Sequence, residues 1–438
     1  MSELPRSSSR RAARLAGLPL GIAGRAAGTL GRRAFGQNQG NLTAELADQA
    51  AEQVFAVLGE LKGGAMKVGQ ALSVFEAGMP DKYAEPFREA LTKLQAEAPP
   101  LPAAEVEKVL DAQLGLRWRE RFAEFDGQAA AAASIGQVHR GVWSDGREVA
   151  VKVQYPGADE ALRSDLRQLR RLAPMLRPLN PGTDIKGVID ELYDSAVSEL
   201  DYRLEADTQR AFSAAYADDP LIRVPAVLAS SPKVLVTEWA DGRALSKVAA
   251  DGSQEERNRA AELLSEFQFS SPTRVRMMHG DPHPGNFLLN DDGRMVVLDF
   301  GAAIPLPDGF PDVLTSMMRL ALEDKGDELV TLMTRAGYVN RGGMDAADAM
   351  SFLGPFIEPM RVSEFHFDRA WMQGILNVYG DFSGKEFRTA RSFTLPREYV
   401  LIHRVLSASV GMLCQLQATA PYRAIVERWM PEIFADES

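Results

Sequence analysis

Three polar side chains in residues 279–301 have the types and spacing needed to handle a phosphate group. Asp281 precedes Asn286 by five residues, and Asp299 follows after a short hairpin pattern. Amide and carboxylate oxygens suit Mg²⁺, and a carboxylate can orient a hydroxyl or a water and accept its proton. We therefore predict that Asp281 is a catalytic group and that Asn286 and Asp299 are metal ligands. Asp291 and Asp292 are expected only to shape the hairpin turn.

A lysine lies inside an apolar, β-prone run earlier in the chain. Lys152 follows Val149-Ala150-Val151, and its ammonium group is costly to bury unless it meets an anion. In protein kinases such a lysine contacts nucleotide phosphates and a helix carboxylate, and it precedes the catalytic loop. The order Lys152, Asp281, Asn286, Asp299 resembles that layout, so ATP or ADP with Mg²⁺ is the expected ligand.

An alanine-rich segment stands where a kinase has its glycine-rich loop. Ala131, Ala132, Ala133 and Ser134 precede Gly136-Gln137-Val138, and we predict that they cover the phosphates. Alanine restricts the positive-φ conformations that glycine permits, so this loop should be stiffer. A helical alanine turn without a ligand stays open as the alternative.

A second candidate contact with the nucleotide follows a strand pattern. Backbone groups of Glu238 and Ala240, which come just before Asp241-Gly242, lie where a kinase hinge would hydrogen-bond adenine. An exposed strand end without a ligand fits the sequence equally well.

The elements that must position these residues change in type along the chain. Strand patterns dominate between residues 122 and 238, and helical spacing dominates after Gly242. A small sheet followed by a helical half predicts two lobes with a cleft between them. Helical patterns also cover 158–176 and 184–215. The predicted strands are Gln137–Trp143, Glu148–Gln154, Arg223–Leu228, Val234–Thr237, Phe287–Leu289 and Met295–Leu298.

Composition excludes several classes of protein. The 438 residues are 45% hydrophobic and 25% charged, with 49 Lys and Arg against 60 Asp and Glu. This is the profile of a globular chain, and its acidity argues against nucleic acid as a partner. One cysteine, Cys414, cannot form an internal disulfide, and there is no Cys/His pattern for zinc. Cys414, His366 and His403 are interpreted as structural.

The first 35 residues carry seven Arg and one Glu. Such a basic, acid-poor tail is typical of an organellar transit peptide or of a surface that meets anionic lipid; a frayed tail is equally compatible. No uncharged apolar run reaches 18 residues, so no transmembrane helix is predicted. The expected location is cytoplasmic or peripheral at a membrane, and organellar only if the tail is a transit peptide.

Several motifs together resemble the UbiB/AarF/ADCK atypical kinases, a branch of the protein-kinase-like superfamily. They are Lys67-Val68-Gly69-Gln70, AAAAASIGQVH, VAVKVQYPG, ELDYRLEAD, HGDPHPGNF and LDFG, spread over about residues 40–305. The resemblance implies an α+β, bilobal kinase-like fold with a small antiparallel-sheet N-lobe and a helical C-lobe. It also implies an N-terminal helical extension over the cleft, with Lys67 and Gln70 pointing into the active site.

The resemblance further assigns three acidic residues. Glu199 and Asp201 would form the family's ExD pair, and Glu205 would form a salt bridge with Lys152. Asp201 and Glu205 share a face if both are helical, whereas Glu199 and Asp201 point about 160° apart on an ideal helix. Glu191 is the fallback partner of the lysine.

Four regions are predicted on this basis. They are a basic tail at 1–40, the helical extension at 41–102, the N-lobe with inserted helices at 103–240, and the helical C-lobe at 241–438.

The sequence also departs from ordinary protein kinases. Gly280 replaces the arginine of the His-Arg-Asp triplet, and no Ala-Pro-Glu follows Asp299. A small, lipid-like or intramolecular substrate is therefore expected. The leading hypothesis is an ATP/Mg²⁺-dependent kinase or ATPase that supports isoprenoid quinone or membrane lipid metabolism, with a membrane surface or a lipid or quinone precursor as partner. A small-molecule phosphotransferase resembling aminoglycoside or choline kinases and a non-catalytic nucleotide-binding scaffold are the alternatives.

Overall fold

The computed structural model describes residues 101–160, 200–339, 343–380 and 394–435, apart from Ser134, and also describes isolated positions between 161 and 197. Lys67, Gln70, Glu191 and Glu199 lie outside the described residues, as do the tail and the predicted extension up to residue 100. The four predicted region boundaries stay predictions.

The N-lobe is built on a five-stranded antiparallel sheet in the order β1-β2-β3-β6-β5. The alanine run is part of strand β1. The alternative prediction, a helical alanine turn, is therefore wrong. The strands are β1 (Phe122–Ala133), β2 (Gly136–Trp143), β3 (Glu148–Gln154), β5 (Val227–Ser231) and β6 (Val234–Glu238).

One face of this sheet is covered by helix α1 (Ala103–Leu114) and the adjoining 3₁₀ turn Trp118–Arg121. Alternate side chains of β3 pack there, because successive residues of a strand point to opposite faces. Lys152 lies between Val151 and Val153, which pack on the α1 face, so its side chain must point to the other face of the sheet. The core on the α1 face includes Val106, Leu110, Trp118, Val149, Val151, Val153, Val234 and Val236.

Helix α2 (Tyr202–Ala215) packs on the Lys152 side of the sheet. Its N-cap is Asp201, whose side chain accepts a hydrogen bond from the Arg203 amide. The predicted helical pattern 184–215 is therefore interrupted before Tyr202, since Asp201 has extended backbone angles.

The predicted strand Arg223–Leu228 is wrong as a single element. The structure divides it between β4 (Ile222–Arg223) and β5, which belong to different sheets. Pro225 lies between them and has no amide hydrogen for a continuous ladder.

Short strands connect the lobes, and the loops between them carry Asp281, Asn286 and Asp299. Strands β4, β10, β9 and β7 form a second sheet, in which β4 and β10 run parallel. Strands β8 and β11 form an antiparallel pair that joins His279 to Ala303. Their bounds are β7 (Arg243–Ala244), β8 (Met277–His279), β9 (Phe287–Leu289), β10 (Met295–Val297) and β11 (Ala303–Pro305).

The C-lobe is helical around the central helix α4 (Gln254–Val275). Its N-terminus carries a capping box between Ser253 and Glu256, which satisfies two otherwise unpaired amides. The other elements are α3 (Leu245–Asp251), α5 (Asp312–Leu322), α6 (Gly326–Arg335), α7 (Ala346–Ile357), β12 (Phe365–His366), α8 (Arg369–Gly380), α9 (Arg397–Leu416), β13 (Thr419–Ala420) and α10 (Tyr422–Trp429). This two-lobed arrangement confirms the predicted fold class.

Helix α9 has the length and apolar composition of a membrane span, which is weak evidence on its own. Ile402, Val405 and Met412 are buried in the C-lobe core, and His403 hydrogen-bonds the Tyr338 hydroxyl at 2.9 Å. We therefore assign α9 to the core. Cys414, on the same helix, is also buried.

Candidate active site

The Lys152 ammonium joins two carboxylates that are far apart in sequence. Its Nζ lies 2.8 Å from Glu205 Oε1 and 3.2 Å from Asp299 Oδ2. The Glu205 side chain is 2% exposed, whereas Lys152 and Asp299 are 15% and 27% exposed. The structure thus places strand β3, helix α2 and the Asp299 segment around one partly buried cation, as the predicted pairing with Glu205 requires.

The charges around Lys152 fix its protonation. Burial disfavours the charged ammonium, but the carboxylates of Asp299 and Glu205 outweigh that cost and hold the pKa of Lys152 well above 10.5. The ring of Tyr202 lies 5.0 Å from Nζ and adds a cation–π contact. Lys152 is therefore a permanent cation at neutral pH.

Helix α2 is also coupled to the Asp299 segment through aromatic rings. Phe300, which directly follows Asp299, is buried and lies 4.8 Å from the Phe212 ring. Because Phe212 and Glu205 both lie on α2, a movement of this helix would displace the Lys152 partner and the Phe300 contact together.

The predicted catalytic loop, residues 279–286, places Asn286 against Asp281. Asn286 Nδ2 donates to the Asp281 carbonyl at 3.1 Å and to Asp281 Oδ2 at 3.2 Å. The backbone closes the same turn, because the His283 amide donates to Asp281 and the Asn286 amide donates to His283, at 2.7 and 2.9 Å. The five-residue spacing thus reflects a compact turn.

The catalytic loop is tied directly to the Asp299 segment. His279 Nε2 donates to the Asp299 carbonyl at 2.5 Å, and the Leu298 amide donates to the Asn286 carbonyl at 2.9 Å. The Gly280 amide donates to the Ala302 carbonyl, also at 2.9 Å. These three hydrogen bonds fix the two predicted metal ligands relative to each other.

The donor atoms present fit a magnesium ion that is shared with a nucleotide. Since Asn286 Nδ2 is used by Asp281, the amide can offer only its oxygen to a cation. Asp299 adds a carboxylate, held by the Gly301 amide at 2.9 Å. Within the described ranges, no group of three or more His, Cys, Asp or Glu side chains could hold a metal. Magnesium commonly takes one or two protein ligands and completes its shell with phosphates and water.

Two backbone amides at the end of strand β6 already donate hydrogen bonds within the protein. The Glu238 amide donates to Ala226, and the Trp239 amide donates to Glu148, both at 2.9 Å. The Glu238 side chain lies within 3.8 Å of Arg223 and 3.7 Å of Arg147. Adenine contacts predicted here would therefore use the Glu238 carbonyl and the Ala240 backbone.

The alanine-rich segment forms the end of a hairpin. Ala131, Ala132 and Ala133 pair with Val138, Gln137 and Gly136, and Ala131 and Ala132 are exposed. A Cβ at Gly136 would clash with the Val153 carbonyl oxygen, so only glycine fits where β2 begins its pairing with β3. Ser134 lies outside the described residues.

Asp201 lies at the start of α2, and the ExD pair stays a prediction because Glu199 lies outside the described residues. Because this residue caps α2 instead of lying within it, the predicted helical face with Glu205 does not exist. Asp201 instead pairs with Arg203 at 2.6 Å, whose side-chain hydrogen bonds lower the Asp201 pKa.

Sequence reasoning missed one contact with the catalytic loop. Arg404 Nη2, on α9, donates to the Gly280 carbonyl at 2.9 Å. No spacing signal announces this contact, because the two residues are 124 positions apart.

Comparisons with known proteins agree with this geometry. The sequence profile of the ABC1 atypical kinase-like domain matches residues 93–332, more than half of the chain. The mitochondrial atypical kinase COQ8B of Rattus norvegicus is 32% identical over 320 residues, covering 71% of this chain and 60% of the rat protein. The chloroplastic protein ACTIVITY OF BC1 COMPLEX KINASE 1 of Arabidopsis thaliana is 31% identical over 296 residues, covering 66% of this chain and 43% of that protein.

A solved structure is also similar over nearly the whole chain. Rv3197 of Mycobacterium tuberculosis, determined in complex with erythromycin, is 49% identical with a TM-score of 0.69, covering 91% of this chain and all of that chain. This chain spans only 60% and 43% of the rat and Arabidopsis proteins. The profile match and these relatives show that the chain belongs to the ABC1 atypical kinase-like family, the UbiB branch of the protein-kinase-like superfamily.

Proposed function

We propose that this protein is a Mg²⁺-dependent, ATP-using atypical kinase or ATPase. The observation that carries the proposal is the position of the Lys152 ammonium between the carboxylates of Glu205 and Asp299. A partly buried lysine that is held by a helix carboxylate, beside the aspartate that binds the metal, is the arrangement used to bind nucleotide phosphates in kinases. Nucleotide phosphates would bring further negative charge to a cation that is already oriented.

Each part of the site has a role in this proposal. Lys152, positioned by Glu205, binds the phosphates. Asn286 and Asp299 would hold Mg²⁺, which neutralises charge on the transferred phosphoryl group when bound. Asp281 orients the attacking hydroxyl or water and accepts its proton. The alanine-rich hairpin covers the phosphates, and the end of β6 holds adenine.

The proposed substrate class is small or lipid-like, in isoprenoid quinone or membrane lipid metabolism. The name of the rat relative, a mitochondrial COQ8B kinase, supports the link to quinones. The basic tail supports contact with anionic lipid or import into an organelle.

A thermal-shift titration with ATP or ADP, with and without Mg²⁺, tests nucleotide use. ADP release would then be measured with and without anionic liposomes. We expect Mg²⁺-dependent stabilisation. We also expect ADP release that Asp281→Asn reduces to a small residual rate and that the turn variant Asp292→Asn retains. Absence of any nucleotide shift would overturn the proposal. Stabilisation without turnover would favour the scaffold, and stoichiometric phosphate transfer to a soluble alcohol would favour the small-molecule phosphotransferase.

A second candidate function is macrolide binding. It is favoured by the 49% identity to a protein whose structure was determined with erythromycin. Isothermal titration with erythromycin, repeated at saturating ADP and Mg²⁺, is the test. Saturable binding would support this function, and loss of binding with nucleotide present would place the macrolide in the same cleft. No saturable heat up to the solubility limit of the macrolide would contradict it.

A further inference from the structure

Arg404 connects a C-terminal core helix to the catalytic loop. Its Nη2 donates to the Gly280 carbonyl at 2.9 Å. Ile402, Val405 and Leu406 on either side of it are buried and anchor helix α9. The guanidinium therefore comes from a fixed support outside the loop, and it binds the peptide group that joins Gly280 to Asp281.

That peptide group needs support from outside because of the residue that precedes it. Glycine has the least restricted backbone of any residue, so a free Gly280 would let the Gly280–Asp281 peptide rotate. The Gly280 amide donates to the Ala302 carbonyl at 2.9 Å, and the Gly280 carbonyl accepts from Arg404. Rotation of this peptide would redirect the Asp281 carboxylate, so both hydrogen bonds restrict where that carboxylate points.

The space around Gly280 explains why the cation comes from another element. A Cβ at this position would lie 3.0 Å from the Ala302 carbonyl oxygen and 3.2 Å from its carbonyl carbon. A side chain here would need the Ala302 backbone, just before strand β11, to give way by a few tenths of an ångström, so an arginine of the loop's own would fit tightly at this position. A guanidinium from α9 reaches the carbonyl without entering that space, and a charged donor makes a stronger hydrogen bond than a neutral one.

We propose that Arg404 is a positioning residue, which holds the Gly280–Asp281 peptide so that the Asp281 carboxylate meets the attacking hydroxyl or water. The inference rests on the proposed function and adds a residue outside the matched range 93–332. Because the guanidinium comes from a core helix, the support is permanent and needs no phosphorylation of a loop.

Kinetics of Arg404→Met and Arg404→Lys, with Arg423→Met as the matched control, test this role. Arg423 is also half-buried on a C-terminal helix and donates to a backbone carbonyl at 2.9 Å, but that carbonyl belongs to Met360. Misplacement of a reacting group by about 1 Å can cost roughly 100-fold. We expect Arg404→Met to lower kcat roughly 10- to 100-fold without raising KM for ATP. Arg404→Lys should recover part of kcat, and Arg423→Met should leave kcat unchanged.

A double-mutant cycle separates positioning from general damage. If Arg404 acts through Asp281, adding Arg404→Met to Asp281→Asn should lower the residual rate little further. Full multiplication of the two losses would overturn the inference. Equal effects of Arg404→Met and Arg423→Met on kcat would overturn it too, while leaving the proposed function standing.

Hydrogen exchange of the whole protein gives a readout that needs no activity. Arg404→Met should speed exchange in residues 279–286, and Arg423→Met should not. Unchanged exchange with Arg404→Met would overturn the claim that this arginine holds the loop. If the wild type shows no Mg²⁺-dependent turnover, the proposed function fails and the catalytic part of the inference fails with it. The exchange data still decide whether the support exists.

Discussion

The two halves of the candidate site are organised by different forces. On the N-lobe side, Lys152 is held by charge, between a carboxylate that is 2% exposed and one that is 27% exposed. On the C-lobe side, Asp281 is held by hydrogen bonds within a tight turn, and by contacts to its neighbour Gly280 from Ala302 and Arg404. The first half depends on which groups are ionised. The second depends on the path of the backbone.

This difference predicts how each half fails. Removing a charge on the lysine side leaves a buried cation with one partner fewer, which affects stability and nucleotide binding together. Disturbing the loop side would move Asp281, the proposed reacting group, while Lys152, the proposed phosphate-binding cation, stays in place. Substitutions should therefore separate binding from turnover according to the half that they affect.

Asp299→Asn is expected to have the largest effect, because Asp299 belongs to both halves. It contacts Lys152 through its carboxylate and His279 through its carbonyl. Loss of a metal ligand removes several kcal/mol of charge stabilisation, so turnover should fall at least about 100-fold. Mg²⁺-dependent thermal stabilisation by nucleotide should disappear. Unchanged Mg²⁺-dependent stabilisation would contradict the assignment, and Asp292→Asn is the control.

Gly280→Ala should break the loop half alone. The new methyl group would press on the Ala302 carbonyl, at a cost of about 1–3 kcal/mol in the free energy of unfolding. We expect turnover to fall roughly 10- to 100-fold while ADP affinity, measured by calorimetry, is retained. Gly411→Ala is the control, since a Cβ there meets nothing within 4 Å. Equal loss of affinity and turnover would show that the halves are not separable.

Glu205→Gln should break the lysine half alone. Because Asp299 remains beside Lys152, we expect the free energy of unfolding to fall by about 1–3 kcal/mol, less than for a buried pair broken completely. Nucleotide affinity should fall in the same variant. Asp201→Asn, at the start of the same helix, keeps an N-cap residue and loses only an exposed ion pair worth about 0–1 kcal/mol. Similar denaturation midpoints for the two variants would contradict the comparison.

Acidic pH should affect the support of the loop half before the lysine half. Burial lowers the pKa of His403, next to Arg404, to about 4. Its neutral form therefore contributes stability that is complete above about pH 6.5 and is lost as pH falls toward 4, by at most about 3 kcal/mol. The raised pKa of Lys152 acts in the opposite range, because its contribution is complete below pH 10.5 and is lost only at higher pH.

Urea unfolding at several pH values between 7 and 4.5 measures this effect. The wild type should lose stability over that range, and His403→Gln should lose less. His366→Gln, at an exposed position, should match the wild type. A pH dependence of the unfolding free energy that is identical in all three proteins would show that protonation of His403 does not destabilise the fold.

The sequence predicted the lysine side more fully than the loop side, for a physical reason. Strand alternation around Lys152 forces it away from the valine core, and the family resemblance points to Glu205 as its partner. The sequence does not show that Asp201 caps α2 with extended backbone angles, because Asp can either cap a helix or lie inside one. The β-prone pattern of Arg223–Leu228 likewise gives no sign that the chain passes from one sheet to another at Pro225.

Arg404 could not have been found from spacing. Its contact with Gly280 depends on how α9 packs in the C-lobe core, and a pattern of apolar residues fixes the face of a helix but not its neighbour. The alanine run was ambiguous because alanine favours helices by intrinsic propensity. Here the pairing of Ala131, Ala132 and Ala133 with β2 decided for a strand.

The C-terminal helices also determine where this protein can be divided. Glu266, on α4, is buried and meets the Arg428 guanidinium and the Trp429 indole nitrogen of the last helix. A chain shortened at residue 332, where the family match ends, would keep that carboxylate without either partner, and burying an unpaired charge is strongly unfavourable. The unit that must fold therefore extends beyond residue 332, and exchange of domains between relatives should preserve the segment through Trp429.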